Sequence, residues 1–255
     1  MIAAFRIVER NARVYRRVWR GSLFFSFLQP MLFLLAMGVT LGAMVDPGAA
    51  LPGGVDFLGF LGPGLLAAAC MQTASFESSF PITSKMTWQR NYEAIGATPM
   101  RVVDLVLGEL AWMGLRLTMV AAAFTGVLAL AGVPRGPLAL LAIPAAVLTG
   151  LAFSAPIMAF AATVRKGGSF NGLFRFVITP LFLFSGVFFP ITRLPDPLEP
   201  VAWLTPLFHG VELARGLMLG TIGPRIWLVH AGYLAGLVAA GAFVALAAFR
   251  RRLRA

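Results

Sequence analysis

The sequence predicts an all-α integral membrane protein built on six transmembrane helices. Three observations predict it: long apolar runs with few charges, a lopsided distribution of Lys and Arg between those runs, and prolines concentrated where an apolar run ends. Of the 255 residues, 59% are hydrophobic and 12% charged, with a mean hydropathy of +0.84. A soluble domain carries about 25% charged residues. The single cysteine, Cys70, excludes an intrachain disulfide framework. The net charge of +11 raises the question of nucleic acid, and the placement of the charges answers it. No cleavable signal peptide is expected, because charge runs through the first twenty residues.

The elements follow in order. Over residues 1–21, Arg6, Arg10, Arg13, Arg17 and Arg20 recur at helical spacing on one face. Met1, Phe5, Val8, Ala12, Tyr15 and Trp19 occupy the opposite face. This pattern suits an interfacial helix, with aromatics in the acyl boundary and arginines on anionic headgroups of membrane lipids. Spans are expected at 22–45, 57–77, 103–131, 138–163, 171–189 and 226–249. A run of 24 residues makes about 36 Å of helix, enough for a ~30 Å hydrocarbon core.

The connection after the second span is too long for a simple turn, since helix connections usually take about 2–8 residues. Ser84 to Ile95 suit a short helix ending near Gly96, and Thr98-Pro99 suit the start of the third span. Such a helix can pass force from a cytoplasmic partner into the bundle. The third span carries Glu109 and Arg116 seven positions apart on one face, with Glu77 at the end of the second span as a possible partner. Intramembrane charges are a functional hint by default, and a structural ion pair is the reading favoured for these residues.

After the fifth span come Pro190, Pro195, Pro197, Pro200 and Pro206. Irregular backbone at membrane depth survives only where protein or water covers it. Thr205 can cap a helix with Pro206 in its first turn, and `PLFHGVELARGLMLG` is too short to span. Leu207, Val211, Ala214 and Met218 would face the bundle, and Glu212 would pair with Arg215. His209 lies in the same segment and His230 in the sixth span.

Charge placement sets the orientation. Of the 21 Lys and Arg, all but Arg116 and the four residues Arg135, Arg193, Arg215 and Arg225 fall on one side of the predicted spans. That side holds both termini and is cytoplasmic by the positive-inside rule. The basic balance is thus a topology signal, and nucleic acid is not an expected partner.

The segment `YEAIGATPMRVVDLVLGELAW` resembles the region after the second span in type-2 ATP-binding-cassette (ABC) export permeases, through its Glu-Ala-x-x-x-Thr core and the following `VLGE`. `FLFSGVFFPITRLPDPLEPVAWLTPLFHGVELARG` resembles the same family's segment between spans five and six. The pattern is similar to nodulation-factor (lipo-oligosaccharide) exporters and to daunorubicin-type drug exporters. Gln89-Arg90-Asn91-Tyr92 stands where the family commonly has Arg-Glu-x-Gly. The resemblance implies a cytoplasmic coupling helix that includes Arg90, Asn91, Tyr92, Glu93, Ile95, Thr98, Pro99 and Met100. It implies re-entrant external helices between spans five and six, forming an outer lid that includes Pro190, Pro195, Pro206, His209, Glu212 and Arg215. It also implies a cell inner-membrane permease working with two separate ABC ATPase subunits and a second permease, identical or homologous.

The chain has no G-x-x-x-x-G-K-[ST] phosphate loop, and neither Lys85 nor Lys166 follows a glycine. ATP and magnesium are therefore expected on the partner subunit, with no cofactor in this chain. Two separated histidines and one cysteine make no metal site, and no nucleophilic triad is visible. The alternative reading is a proton-coupled secondary transporter using Glu109, Arg116 and Glu77, and no inverted repeat with broken helices supports it. GxxxG occurs at Gly38/Gly42, Gly216/Gly220 and Gly232/Gly236, weak signals among 27 glycines.

Overall fold

In the computed structural model of the chain, the described residues are 2–40, 56–89, 92, 100–164, 168–221 and 223–254, and all regular structure among them is helical. Helix α1, Ile2–Thr40, is unbroken where an interfacial helix and a first span are expected as separate pieces. Gly21 at their junction costs about 1 kcal/mol against alanine, too little to stop a helix favoured on both sides. Helix α2, Phe57–Thr87, begins at Asp56, whose side chain accepts the Gly59 N–H at 3.3 Å.

Helix α2 runs past the expected end at 77 and absorbs Pro81 within well-packed surroundings. Ser84–Thr87 are therefore its last turn and not the start of a separate helix. Trp88 and Gln89 close it by donating their N–H groups to the Ser84 carbonyl at 3.1 and 3.0 Å. Of the expected coupling residues, Arg90, Asn91, Glu93, Ile95, Thr98 and Pro99 lie outside the described residues, while Tyr92 and Met100 are within them. Helix α3, Val102–Leu130, starts later than the expected Thr98-Pro99. Arg101 is extended (ψ 148°), and Asp104 stands in the first turn, where a negative charge meets the positive helix end.

A 3-10 turn, Pro137–Leu141, leads into α4, Ala142–Thr163. Helix α5, Ser169–Phe184, contains a π-helical turn at Phe174–Ile178 and stops short of the expected 189. Pro180 offers no N–H, and both the N–H and the hydroxyl of Thr179 reach back to the Phe174 carbonyl. Gly186 then takes φ +78°, where only glycine is unstrained, and the chain leaves the helix. Short turns carry it to α6 (Glu199–Trp203), α7 (Pro206–Leu219) and α8 (Pro224–Arg254).

Four segments among the described residues are long and apolar enough to cross a bilayer: Phe57–Thr87, Val102–Leu130, Pro137–Thr163 and Pro224–Leu253. They match the second, third, fourth and sixth expected spans. The first expected span falls in α1, where several side chains lie outside the described set. The fifth is the kinked α5, shorter than the usual ~17–25 residues.

Helix α2 sits innermost, with Leu61, Leu66, Ala67, Ala68, Cys70 and Met71 fully enclosed. Helix α4 packs against both α2 and α8. Apolar burial drives little association within lipid, so close backbone approach between small residues matters more. At Gly150 of α4, an added Cβ would lie 2.6 Å from Leu117 Cδ1 and 3.0 Å from the Cys70 carbonyl oxygen. At Gly241 of α8 it would lie 2.7 Å from Pro156 Cδ. Around Gly232 and Gly236, one of the GxxxG pairs, nothing in the described chain comes within 4 Å of such a Cβ.

Candidate functional site

The site grows from one buried carboxylate. Glu109 on α3 is 3% exposed, and such a charge is tolerable only if paired and hydrogen-bonded. Four side chains converge on it. Lys85, in the last turn of α2, donates to both carboxylate oxygens at 2.9 and 2.8 Å. From α1, Arg10 donates at 3.2 Å and the Asn11 amide at 3.0 Å. The Tyr92 hydroxyl, from the expected coupling segment, donates at 2.9 Å. Tyr92 is fully buried, and its ring lies 5.8 Å from that of Phe249 near the end of α8. Burial first, and then the Glu109 carboxylate, push the Tyr92 phenol well above its usual 10, so it remains a donor at physiological pH.

About two turns further along α3, Arg116 pairs with Glu77 of α2 at 2.8 Å, one of the pairings the spacing allows. Its guanidinium lies 4.4 Å from the centre of the Tyr15 ring, and Tyr15 meets Trp112 edge-on at 5.8 Å. Glu109 and Arg116 therefore share a helix face but bond to different partners. Between α1, α2 and α3 these residues enclose a cavity of about 500 Å³, with Met113 and Met158 in its lining.

The arginine stripe on α1 differs from expectation in one respect. Of that stripe Arg6, Arg13 and Arg17 are exposed, whereas Arg10 turns inward to Glu109; the Arg20 side chain lies outside the described set. The face packed on α3 carries Ile7 and Asn11, because Gly108 lets the helices approach until an added Cβ would stand 2.7 Å from Ile7 Cβ. Asn11 was not legible as a site residue. An uncharged amide among the charges of residues 6–17 was the available signal.

On the far side, α7 forms a second polar assembly. Thr205 Oγ1 accepts the Phe208 N–H at 3.2 Å, and Gly220 ends the helix at φ +69°. Leu207, Val211, Ala214 and Met218 are fully buried in the core. Arg215 donates to Glu212 at 2.7 Å, to the Phe60 carbonyl at 3.2 Å and to the Gly186 carbonyl at 2.8 Å, and it lies 3.8 Å from the centre of the Phe60 ring. It thereby ties α7 to the start of α2 and to the turn after α5.

His209 and His230 meet through their Nδ1 atoms at 2.7 Å. His209 Nε2 stands 2.9 Å from the Trp203 carbonyl oxygen, and Tyr233 of α8 stacks on His209 at 4.0 Å. Two histidines 21 positions apart gave no sequence sign of this pairing. Pro190 and Pro195 bracket the 3-10 turn Ile191–Arg193, and Pro206 opens α7. Among the described residues no cluster of three or more His, Cys, Asp or Glu could hold a metal ion.

The sequence matches known proteins across most of its length. Residues 3–219 match the family described as ABC-2 type transporter. The chain is similar to Nodulation protein J of Rhizobium meliloti (strain 1021), 32% identical over 245 residues, covering 96% of this chain and 92% of that protein. It is 33% identical over 246 residues to Nodulation protein J of Rhizobium leguminosarum bv. trifolii, with the same coverage. Against Nodulation protein J of Azorhizobium caulinodans it is 25% identical over 232 residues, 89% of this chain and 90% of that protein. With several helices apolar and long enough to cross a bilayer, it is a multi-pass membrane protein and a transport subunit, and it belongs to the ABC-2 type transporter family.

Proposed function

We propose that the chain is the membrane half of an ATP-driven exporter that moves an amphiphile out of the cytoplasm or the inner leaflet. In this reading it spans the inner membrane six times with both termini cytoplasmic. Two separate ABC ATPase subunits carry the ATP and magnesium, and a second permease, identical or homologous, completes the pathway. The exposed arginines of α1 sit at anionic headgroups.

One observation carries the reading: Tyr92, from the segment that connects α2 and α3, is buried and bonded to Glu109, which also holds α1 and α2. A push on that segment from the cytoplasm reaches three helices through one carboxylate. Glu109 and Glu77 are each held by cations, which suits a rigid coupling joint better than a proton carrier. The lid, anchored by Arg215, would part when the outer side opens.

The test is co-purification of the tagged chain with an ATPase, followed by ATP turnover in vesicles. Tyr92→Phe deletes the single hydroxyl and is expected to leave the complex assembled while lowering transport per ATP. Full transport by the lone chain, with no ATPase present, would overturn the proposal.

A further inference from the structure

We propose that the cavity between α1, α2 and α3 binds the phosphate-bearing head of an anionic amphiphile, with its hydrocarbon chain lying along Tyr15, Trp19 and Met119. The first argument is charge. Among the described residues, Glu109 is paired with both Lys85 and Arg10, while Glu77 answers Arg116. The joint therefore sets two cations against one carboxylate, and the surplus positive charge faces a cavity of about 500 Å³. Arg10 makes the longer of the two ion pairs, 3.2 Å against 2.8 Å, and its side chain is 31% exposed, so it can reach a ligand without abandoning Glu109.

The second argument is the order of surfaces along α1. Towards the N-terminus the cavity adjoins a depression of about 400 Å³ lined by Arg6, Arg13 and Arg17 with Glu9, and Arg10 and Val14 line both. In the other direction Tyr15 also lines a cleft of about 710 Å³ with Arg16, Trp19 and Met119. One helix thus presents a basic depression, a mixed polar chamber and a cleft in which Tyr15, Trp19 and Met119 offer apolar surface beside Arg16, so that a charged head and a hydrocarbon chain can be held side by side. A neutral or cationic head would leave the surplus charge unanswered. The ligand chemistry is a phosphate ester on an alkyl chain, from two possible sources: a phospholipid of the inner leaflet or the transported molecule. Only the second source rests on the exporter reading.

The test uses the full-length chain in phosphatidylcholine nanodiscs, with brominated-chain phosphatidylglycerol or phosphatidylcholine added and tryptophan quenching read out. Phosphatidylglycerol should quench at a mole fraction lower by about fivefold or more, the effect of one basic residue on anionic lipid. Arg10→Gln should erase that preference. Glu109→Gln, which leaves two cations uncompensated, should strengthen it, and phosphatidylglycerol should raise that variant's Tm more than the wild type's. A purely structural ion pair would not produce opposite signs in the two variants. If Arg10→Gln does not fold, Glu109→Gln decides alone.

Dodecyl phosphate should compete and inorganic phosphate should not. Equal quenching by the two lipids, no gain in Glu109→Gln, or full displacement by inorganic phosphate would overturn the proposal. Binding is read without any ATPase, so failure of the exporter reading leaves this result standing. In a complex with the ATPase, stimulation of ATP turnover by dodecyl phosphate, lost in Arg10→Gln, assigns the site to cargo. Binding without stimulation assigns it to a resident lipid.

Discussion

Arg215 and Glu109 solve the same problem with opposite charge: each is an ion buried beside helices that cannot solvate it. Arg215 spends its donors on two carbonyls and Glu212, so Arg215→Leu leaves the Phe60 and Gly186 carbonyls without that donor. Breaking such a buried arrangement costs about 3–5 kcal/mol. A marked fall in Tm in detergent is expected, with Arg215→Lys intermediate because a lysine cannot reach three separated acceptors in one plane. An unchanged Tm for Arg215→Leu would refute the anchoring role.

Tyr92 adds a pH prediction. Its pKa is raised on folding, so the neutral phenol is favoured in the folded state. Its contribution is fully present below the unfolded value near 10 and is lost as pH rises above it. The Tm of the wild type relative to Tyr92→Phe should therefore be constant from pH 6 to about 9 and decline above about 10. A difference that grows with pH would contradict the hydrogen bond.

At this scale the Glu77–Arg116 pair was readable, because few charges lie at that depth. The partners of Glu109 were not. Arg10 and Asn11 are 99 and 98 positions away, and the periodicity of the α1 arginines pointed them all at lipid headgroups.

Helix starts governed by local chemistry were the most legible elements. Thr205 followed by Pro206 announces α7, and the apolar positions Leu207, Val211, Ala214 and Met218 recur at 3–4 spacing onto the core. Thr205→Ala removes the acceptor for the Phe208 N–H and is expected to destabilise by about 1 kcal/mol. Faster deuterium uptake confined to the first turn of α7 would show it, while uniform uptake along the helix would argue against a capping role.

Element ends were less legible where tertiary packing overrules a local signal. The second span was expected to end at 77, yet α2 runs on through Pro81 to Thr87, held by the surrounding helices. Pro180 acted at a distance, widening the preceding turn of α5 instead of ending the helix at once. The α4 helix shows the same dominance of packing. Gly150→Leu would drive a side chain into Leu117 and the Cys70 carbonyl, and is expected to prevent stable insertion. Recovery of a monodisperse variant with wild-type Tm would disprove that contact.

At the level of the whole molecule, hydropathy carried most of the architecture, because a bilayer demands continuous apolar helix. Four segments stand where the pattern put them. Hydropathy is silent about which helices touch, and the enclosure of α2 by α4 and α7 depends on small residues whose spacing is common throughout the chain. The unequal distribution of Lys and Arg predicts that reporters fused after Arg254 and at residue 2 are active in the cytoplasm, while one inserted near Pro195 is active outside. The opposite pattern would invert the proposed orientation.

The enclosure of Cys70 has a practical corollary. The chain's one thiol is sealed at the centre of α2. The native protein is therefore a silent background for maleimide chemistry. Single cysteines placed on α1, beside Tyr92 or on α7 could report spin-label distances between the two ends of the bundle, leaving the native sulfur in place.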